Sequence, residues 1–217
     1  MAATVQVEQI TGALGSETFT YKDTTSGTRY YTADDPTKDA TTNPLPIPTK
    51  DAGKSGSYWV THCINVTGAP TTYIKNLRYY QTWSTSPYDD WALGTGGDLL
   101  IGISSASIAD ARTFTQGFPS SSYDQADGSE GNYGYWISGS EATNHSYYSG
   151  CSAPLSGGAT TIADFDSTDN AYMVQSGQVV GASTGRSYCI VTQVIVASGA
   201  TQGEKADKTA TFVFSEV

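Results

Sequence analysis

Ser187 to Val217, SYCIVTQVIVASGATQGEKADKTATFVFSEV, is the stretch that decides the fold class. It holds a long apolar run from Tyr188 to Ala197, a connection rich in Gly, Glu, Lys and Asp, and a second run from Thr209 to Val217. That layout predicts an antiparallel strand pair. In the second run Ala210, Phe212 and Phe214 share one face, and Thr209, Thr211, Val213 and Ser215 share the other, as in a strand with one buried and one wet side. The first run is apolar on both faces, with Ile190, Val194 and Val196 against Val191 and Ile195. It reads as a central strand and the second run as its neighbour.

Working outward, Ser57 to Trp83, SYWVTHCINVTGAPTTYIKNLRYYQTW, repeats this organisation. Tyr58, Val60, Ile64 and Val66 alternate, Gly68, Ala69 and Pro70 turn the chain, and Tyr73 to Trp83 runs back as a second strand pair. The likeness of SYWVTHCINVTGA to SYCIVTQVIVASGA is read as similar strand chemistry. Further strands are expected at Val5 to Ile10, Glu17 to Lys22, Thr28 to Thr32, Asp98 to Ser104, Tyr133 to Ile137 and Ala171 to Val180, with one short helical candidate at Ser104 to Arg112. Pro44, Pro46 and Pro48 remove amide donors and fix φ, so Asn43 to Lys50 is a loop or an arm on a surface. Eight or more short strands without βαβ alternation predict an all-β, antiparallel β-sandwich, jelly-roll or Ig-like, with long polar loops. The chain reads as a single domain over 1–217, with 119–158 as long loops or a small protruding subdomain.

Composition supports strands and turns. The 217 residues include Gly 23 and Tyr 15 with only 15% charged side chains. A formal net charge of −10 disfavours a surface that tracks phosphates, so nucleic acid is not an expected partner. No run approaches the roughly 18 to 20 apolar residues of a membrane helix. Met1 leads into AATVQVEQITGA, a first strand, with no signal-peptide pattern, so synthesis without export is expected. Cys63, Cys151 and Cys189 are odd in number and far apart in sequence, which favours reduced thiols. With His62 and His145 they make no zinc spacing.

Chemistry-bearing patterns are sparse. Carboxylates at Asp89 and Asp90, at Asp124, Asp127 and Glu130, and at Asp164, Asp166 and Asp169 lie in turn-forming segments, where solvated Asx turns are the ordinary role. Asp164, Asp166 and Asp169 also gather hard oxygen ligands and are weak calcium candidates, although no EF-hand spacing is present. No G-x-S-x-G elbow occurs, and His62 alternates with Val60 and Ile64 as a core histidine does. No catalytic residue and no cofactor is assigned, and the chain is read as not an enzyme. Aromatic side chains in or near loops give the strongest binding signal. Trp83, Tyr88, Trp91, Tyr135, Trp136, Tyr147 and Tyr148 are candidate contacts to a protein interface or a glycan.

Thr71 to Trp83, TTYIKNLRYYQTW, together with Tyr188 to Val217 and its GATQGEKAD connection, resembles the β-sandwich virion structural proteins of tailed viruses: head-decoration, coat-surface or tail components. The resemblance implies a homo-oligomer in a virion, made in the host cytoplasm, with other copies of itself and other virion proteins as partners. The alternative is a carbohydrate-binding module or adhesin whose loop aromatics hold a host-surface glycan.

Overall fold

The computed structural model describes residues 2–31, 33–37, 41, 44–45, 47, 54–83, 87–94, 97–116, 124–125, 160–161, 167–169, 171–197 and 199–217. Among these the chain forms β1 (Thr4–Thr11), β2 (Thr18–Lys22), β3 (Lys54–Gly56), β4 (Val60–Gly68), β5 (Ile74–Gln81), α1 (Pro87–Asp90), β6 (Asp98–Ala106), α2 (Ile108–Gln116), β7 (Asp124–Gln125), β8 (Thr160–Thr161), β9 (Tyr172–Val180), β10 (Gly185–Arg186), β11 (Cys189–Ala197) and β12 (Ala210–Glu216). Every strand pairing is antiparallel, so the all-β expectation holds.

Two sheets result. In the larger, the order runs β2-β1-β4-β11-β3-β7, with β10 on β4 and β6 joining β11 to β8; in the smaller it is β12-β5-β9. β11 is central as expected. β6 follows one side of it from Cys189 to Ile195, and on the other side β4 pairs with Ile190 to Thr192 and β3 with Ile195 to Ala197.

The expected strand pairs are corrected. β4 does not pair with β5, nor β11 with β12; each connection passes from the larger sheet to the smaller. Like pairs with like instead: β4 joins β11, and β5 joins β12. The reason is burial. β4 is buried along most of its length and β11 is apolar on both faces, so both belong in a sheet interior, whereas half-wet β12 satisfies its exposed face at an edge.

The likeness between the two stretches has a structural counterpart in their Ser-Tyr openings. Ser57 N–H donates to Val194 O at 2.8 Å and Val194 N–H donates to Ser57 Oγ at 3.1 Å. Ser187 N–H donates to Ile64 O at 3.0 Å and Ile64 N–H donates to Ser187 Oγ at 3.1 Å. Each serine hydroxyl then donates to the carbonyl of the following tyrosine, at 2.8 and 2.6 Å. Between these points and the β4–β11 register of Ile190↔His62 the ladder steps by one residue, so Tyr58 and Tyr188 act as bulge residues. The two stretches are thus bonded reciprocally.

The core draws on both sheets. Ile64, Leu99, Ile101, Ile190, Val194 and Val196 of the larger sheet meet Leu77, Tyr79 and Val174 of the smaller, with Trp83 and Leu93. Fully burying one such aliphatic stabilises by roughly 1.5–3 kcal/mol relative to exposure. Leu45 and Ile47 of the Pro-rich stretch pack on this same core, which makes them a cover for their own chain.

Three local expectations change. The helical candidate at Ser104 to Arg112 becomes strand through Ala106 and helix from Ile108. Ser107 caps that helix: Asp110 N–H donates to its Oγ at 3.1 Å, and the hydroxyl donates to Asp110 Oδ2 at 2.8 Å. Thr28 to Tyr31 is irregular, because its side chains and carbonyls bind other segments: Thr28 to His62, Tyr30 to Thr192, and Tyr31 O to Tyr58 N–H. Finally, β7 is a short strand in a segment read as loop, and β8 a short strand where none was expected. The expected strand at Tyr133 to Ile137 lies outside the described residues, as does 119–158 apart from Asp124 and Gln125.

Candidate functional site

The smaller sheet has three strands, two of them edges. β5 lies in its middle, and β12 pairs with β5 alone. Phe212 and Phe214 turn toward the core, Phe212 packing edge-on against Tyr79 with ring centroids 5.0 Å apart and planes at 65°. The strand is tied at its end: Val217 N–H donates to Tyr73 O at 3.0 Å, and Ala3 N–H donates to Glu216 Oε1 at 2.9 Å. Its other edge has no strand partner among the described residues. From Ala210 to Ser215 that edge carries no charge.

The opposite strand, β9, is irregular. Its register with β5 shifts three times, around Asn76 at φ 56° and Gly177 at φ 68°. Gly177 N–H donates to Asn76 Oδ1 at 3.1 Å, so the asparagine side chain stabilises its own left-handed turn. Met173 on β9 is exposed.

The aromatic candidates divide. Trp83 is 7% exposed and belongs to the core. It packs edge-on against Trp91 at 4.8 Å and 86°, and Tyr30 lies 6.4 Å from Trp91. Trp91 Nε1–H donates to Ala206 O at 2.8 Å, and Lys208 Nζ sits 5.4 Å over the Trp83 ring while bonding Asp90 Oδ2 at 2.7 Å. These two tryptophans therefore pin the 199–209 connection. Trp83 is a packing residue, and Trp91 is partly exposed beside it. Tyr88 lies on α1. Tyr135, Trp136, Tyr147 and Tyr148 lie outside the described residues.

Of the calcium candidates only Asp169 is among the described residues. Asp169 is exposed in a turn, and Asp164 and Asp166 lie outside the described residues. Among the described residues no three His, Cys, Asp or Glu side chains group as a metal site. His62 bonds Thr28 Oγ1 through Nε2 at 2.7 Å, and burial first, then Lys22, pushes its pKa down to about 3. It is a neutral core histidine.

A buried cation on the larger sheet had no sequence signal beyond one Arg in the helical candidate. Arg112 of α2 is fully buried. Its guanidinium donates to Ile10 O at 2.9 Å, to Gly12 O at 2.7 and 3.0 Å, to Thr61 Oγ1 at 3.3 Å and to Asp34 Oδ2. Asp34 also accepts from Gly12 N–H at 2.7 Å; burial pushes its carboxyl up, and Arg112 and Gly12 pull it back. Gly12 holds φ 87°, and a Cβ there would meet Ser16 O at 2.8 Å, so this turn requires glycine. With every partner satisfied, the cluster fastens α2 and the β1–β2 turn to the sheet.

No known protein family, curated protein or solved structure matches the chain. The Arg112 cluster is committed to its own fold, and among the described residues β2, β9 and β12 are each paired along one side only. The β12 edge was legible in the sequence only as a half-wet last strand. The partner it lacks was not.

Proposed function

We propose that this chain is a non-enzymatic structural protein of a virion surface, a head-decoration, coat-surface or tail component, which associates with copies of itself through the outer edge of β12. The virion class rests on the resemblance carried by Thr71 to Trp83 and Tyr188 to Val217. The mode of association rests on one observation, the uncharged edge from Ala210 to Ser215 with no strand partner among the described residues. An edge of that kind offers a row of amides and carbonyls to another strand. A second copy fits it best, because an antiparallel pair of identical edges is self-complementary about a twofold axis.

Charge also favours this contact. Two copies each carrying a formal net charge of −10 repel at long range. Close association then needs a contact free of charge, and raised salt should strengthen it.

Light scattering after size exclusion is expected to give a mass that rises with protein concentration and with salt. β12 amides are expected to become protected from hydrogen exchange over the same range. Val213→Lys places a charge in the edge strand and should abolish the association while changing stability by less than about 1 kcal/mol. A monomer at every concentration and salt, with β12 amides unprotected, argues against the reading. Glycan-array binding by that monomer would favour an adhesin.

A further inference from the structure

Spacing in sequence sets the cysteines apart, but the fold brings two of them together. β4 and β11 pair Thr192 with Val60, Val191 with Thr61 and Ile190 with His62, and just beyond, the bulge at Tyr188 sets Tyr188 and Cys189 together opposite Cys63. Cys63 is the largest influence on the Cys189 thiol and pushes its pKa up, as a neighbouring thiol within reach does. Both residues are 0% exposed and both are free thiols. Directly opposed residues of an antiparallel pair have Cα atoms about 4.5–5.5 Å apart, inside the roughly 4.4–6.8 Å that a disulfide spans.

The neighbours suit the chemistry. In the same cross-strand row, Glu8 faces Cys63 from β1 and Ala106 faces Cys189 from β6. Arg112 and Arg186, the latter held by Glu8 at 2.6 Å, both act on Cys189 in the sense that favours its thiolate. The neighbouring Cys63, and then burial, hold the Cys189 proton in place.

We propose that Cys63 and Cys189 are a disulfide-forming site, a reversible clasp between β4 and β11 at the centre of the larger sheet, with a small-molecule disulfide as the oxidant. The Cys63 thiolate attacks one sulfur of the oxidant, breaking its S–S bond and releasing one small thiolate. Cys189 gives up its proton and attacks the protein-side sulfur of the mixed disulfide, and the second small thiolate leaves. The two protein thiols lose two electrons and two protons; the oxidant gains both. Because the pair is sealed from solvent, the exchange runs during local opening or as the chain folds.

The test refolds the full chain from urea in buffer containing oxidised glutathione, then alkylates the remaining thiols under denaturing conditions. Intact mass should fall by about 2 Da before alkylation, with a single alkylated cysteine afterwards, Cys151, and one Cys63–Cys189 linked peptide. Cys151→Ser should keep the link, and Cys63→Ser or Cys189→Ser should each lose it. The bond closes a loop of about 125 residues, so the oxidised protein should melt about 10 °C higher, and dithiothreitol should reverse the shift. The proposal is overturned by three alkylated cysteines, by a link through Cys151, or by a stable glutathione adduct in place of the internal bond. It is equally overturned by a correctly linked protein whose melting temperature does not rise.

Discussion

The centre of the larger sheet and the outer edge of the smaller one are built from the same two stretches of sequence, and they differ in every physical respect. Ser57 to Trp83 and Ser187 to Val217 each give a first strand to the centre and a second to the smaller sheet. At the centre Cys63, Ile64, Cys189, Ile190 and Val191 are fully buried, and two serines complete each other's ladders. At the edge β12 is only half-buried, and it is bonded on one side. Stability is thereby concentrated in one region and the capacity to pair with another chain in the other. Changes at the centre should unfold the protein, and changes near the edge should leave it folded.

The hardest attempt to break that contrast is at Arg112. Arg112→Met removes the donors to Ile10 O and Gly12 O and leaves Asp34 without its cation, so urea denaturation should register a loss of about 3–5 kcal/mol. A loss under 1 kcal/mol would mean the cluster does not hold α2 in place, and the contrast would fail.

A comparable effect, spread over several pH units, is expected from acidification. The folded His62 pKa of about 3 lies below its ordinary value of 6.5, so the unfolded chain takes the proton first as the solution is acidified. The contribution is fully present above pH 6.5 and drains away down to about pH 3. Its slope reaches about 1.4 kcal/mol per pH unit. His62→Gln should flatten the profile in that window, and parallel profiles for the two proteins would count against a neutral buried imidazole.

The smallest effect belongs to the periphery. Lys208→Ala removes the ion pair to Asp90 and the cation over Trp83 and should cost about 0.5–1 kcal/mol. A changed indole emission should accompany it. A cost as large as that of Arg112→Met would erase the distinction between the two regions.

Much of this fold was legible in the residues, for reasons that can be named. Alternation placed β1, β2, β6 and β9 near their true bounds, because a pleated strand with one buried face leaves a period of two. The two-faced apolar run at Tyr188 to Ala197 marked the sheet's centre. Of the proline-rich stretch, the described Pro44, Leu45 and Ile47 lie in no strand. The aromatic signal was less informative, since a buried indole such as Trp83 and an exposed one look alike in sequence. The Cys63–Cys189 pair was hidden entirely, because no spacing rule links cysteines brought together by a ladder between distant strands.

The sequence by itself determined that this chain is a strand protein, which runs are buried on both faces, and where turns interrupt them; these follow from side-chain polarity and backbone allowance at each residue. Only the tertiary structure decided which strand lies beside which. Pairing depends on matching burial and register between segments more than a hundred residues apart, and a hydrogen-bonded ladder carries no mark of its partner in the local sequence. That choice joined β4 to β11, brought the two thiols together, buried Arg112 beneath α2, and left β12 with one side open.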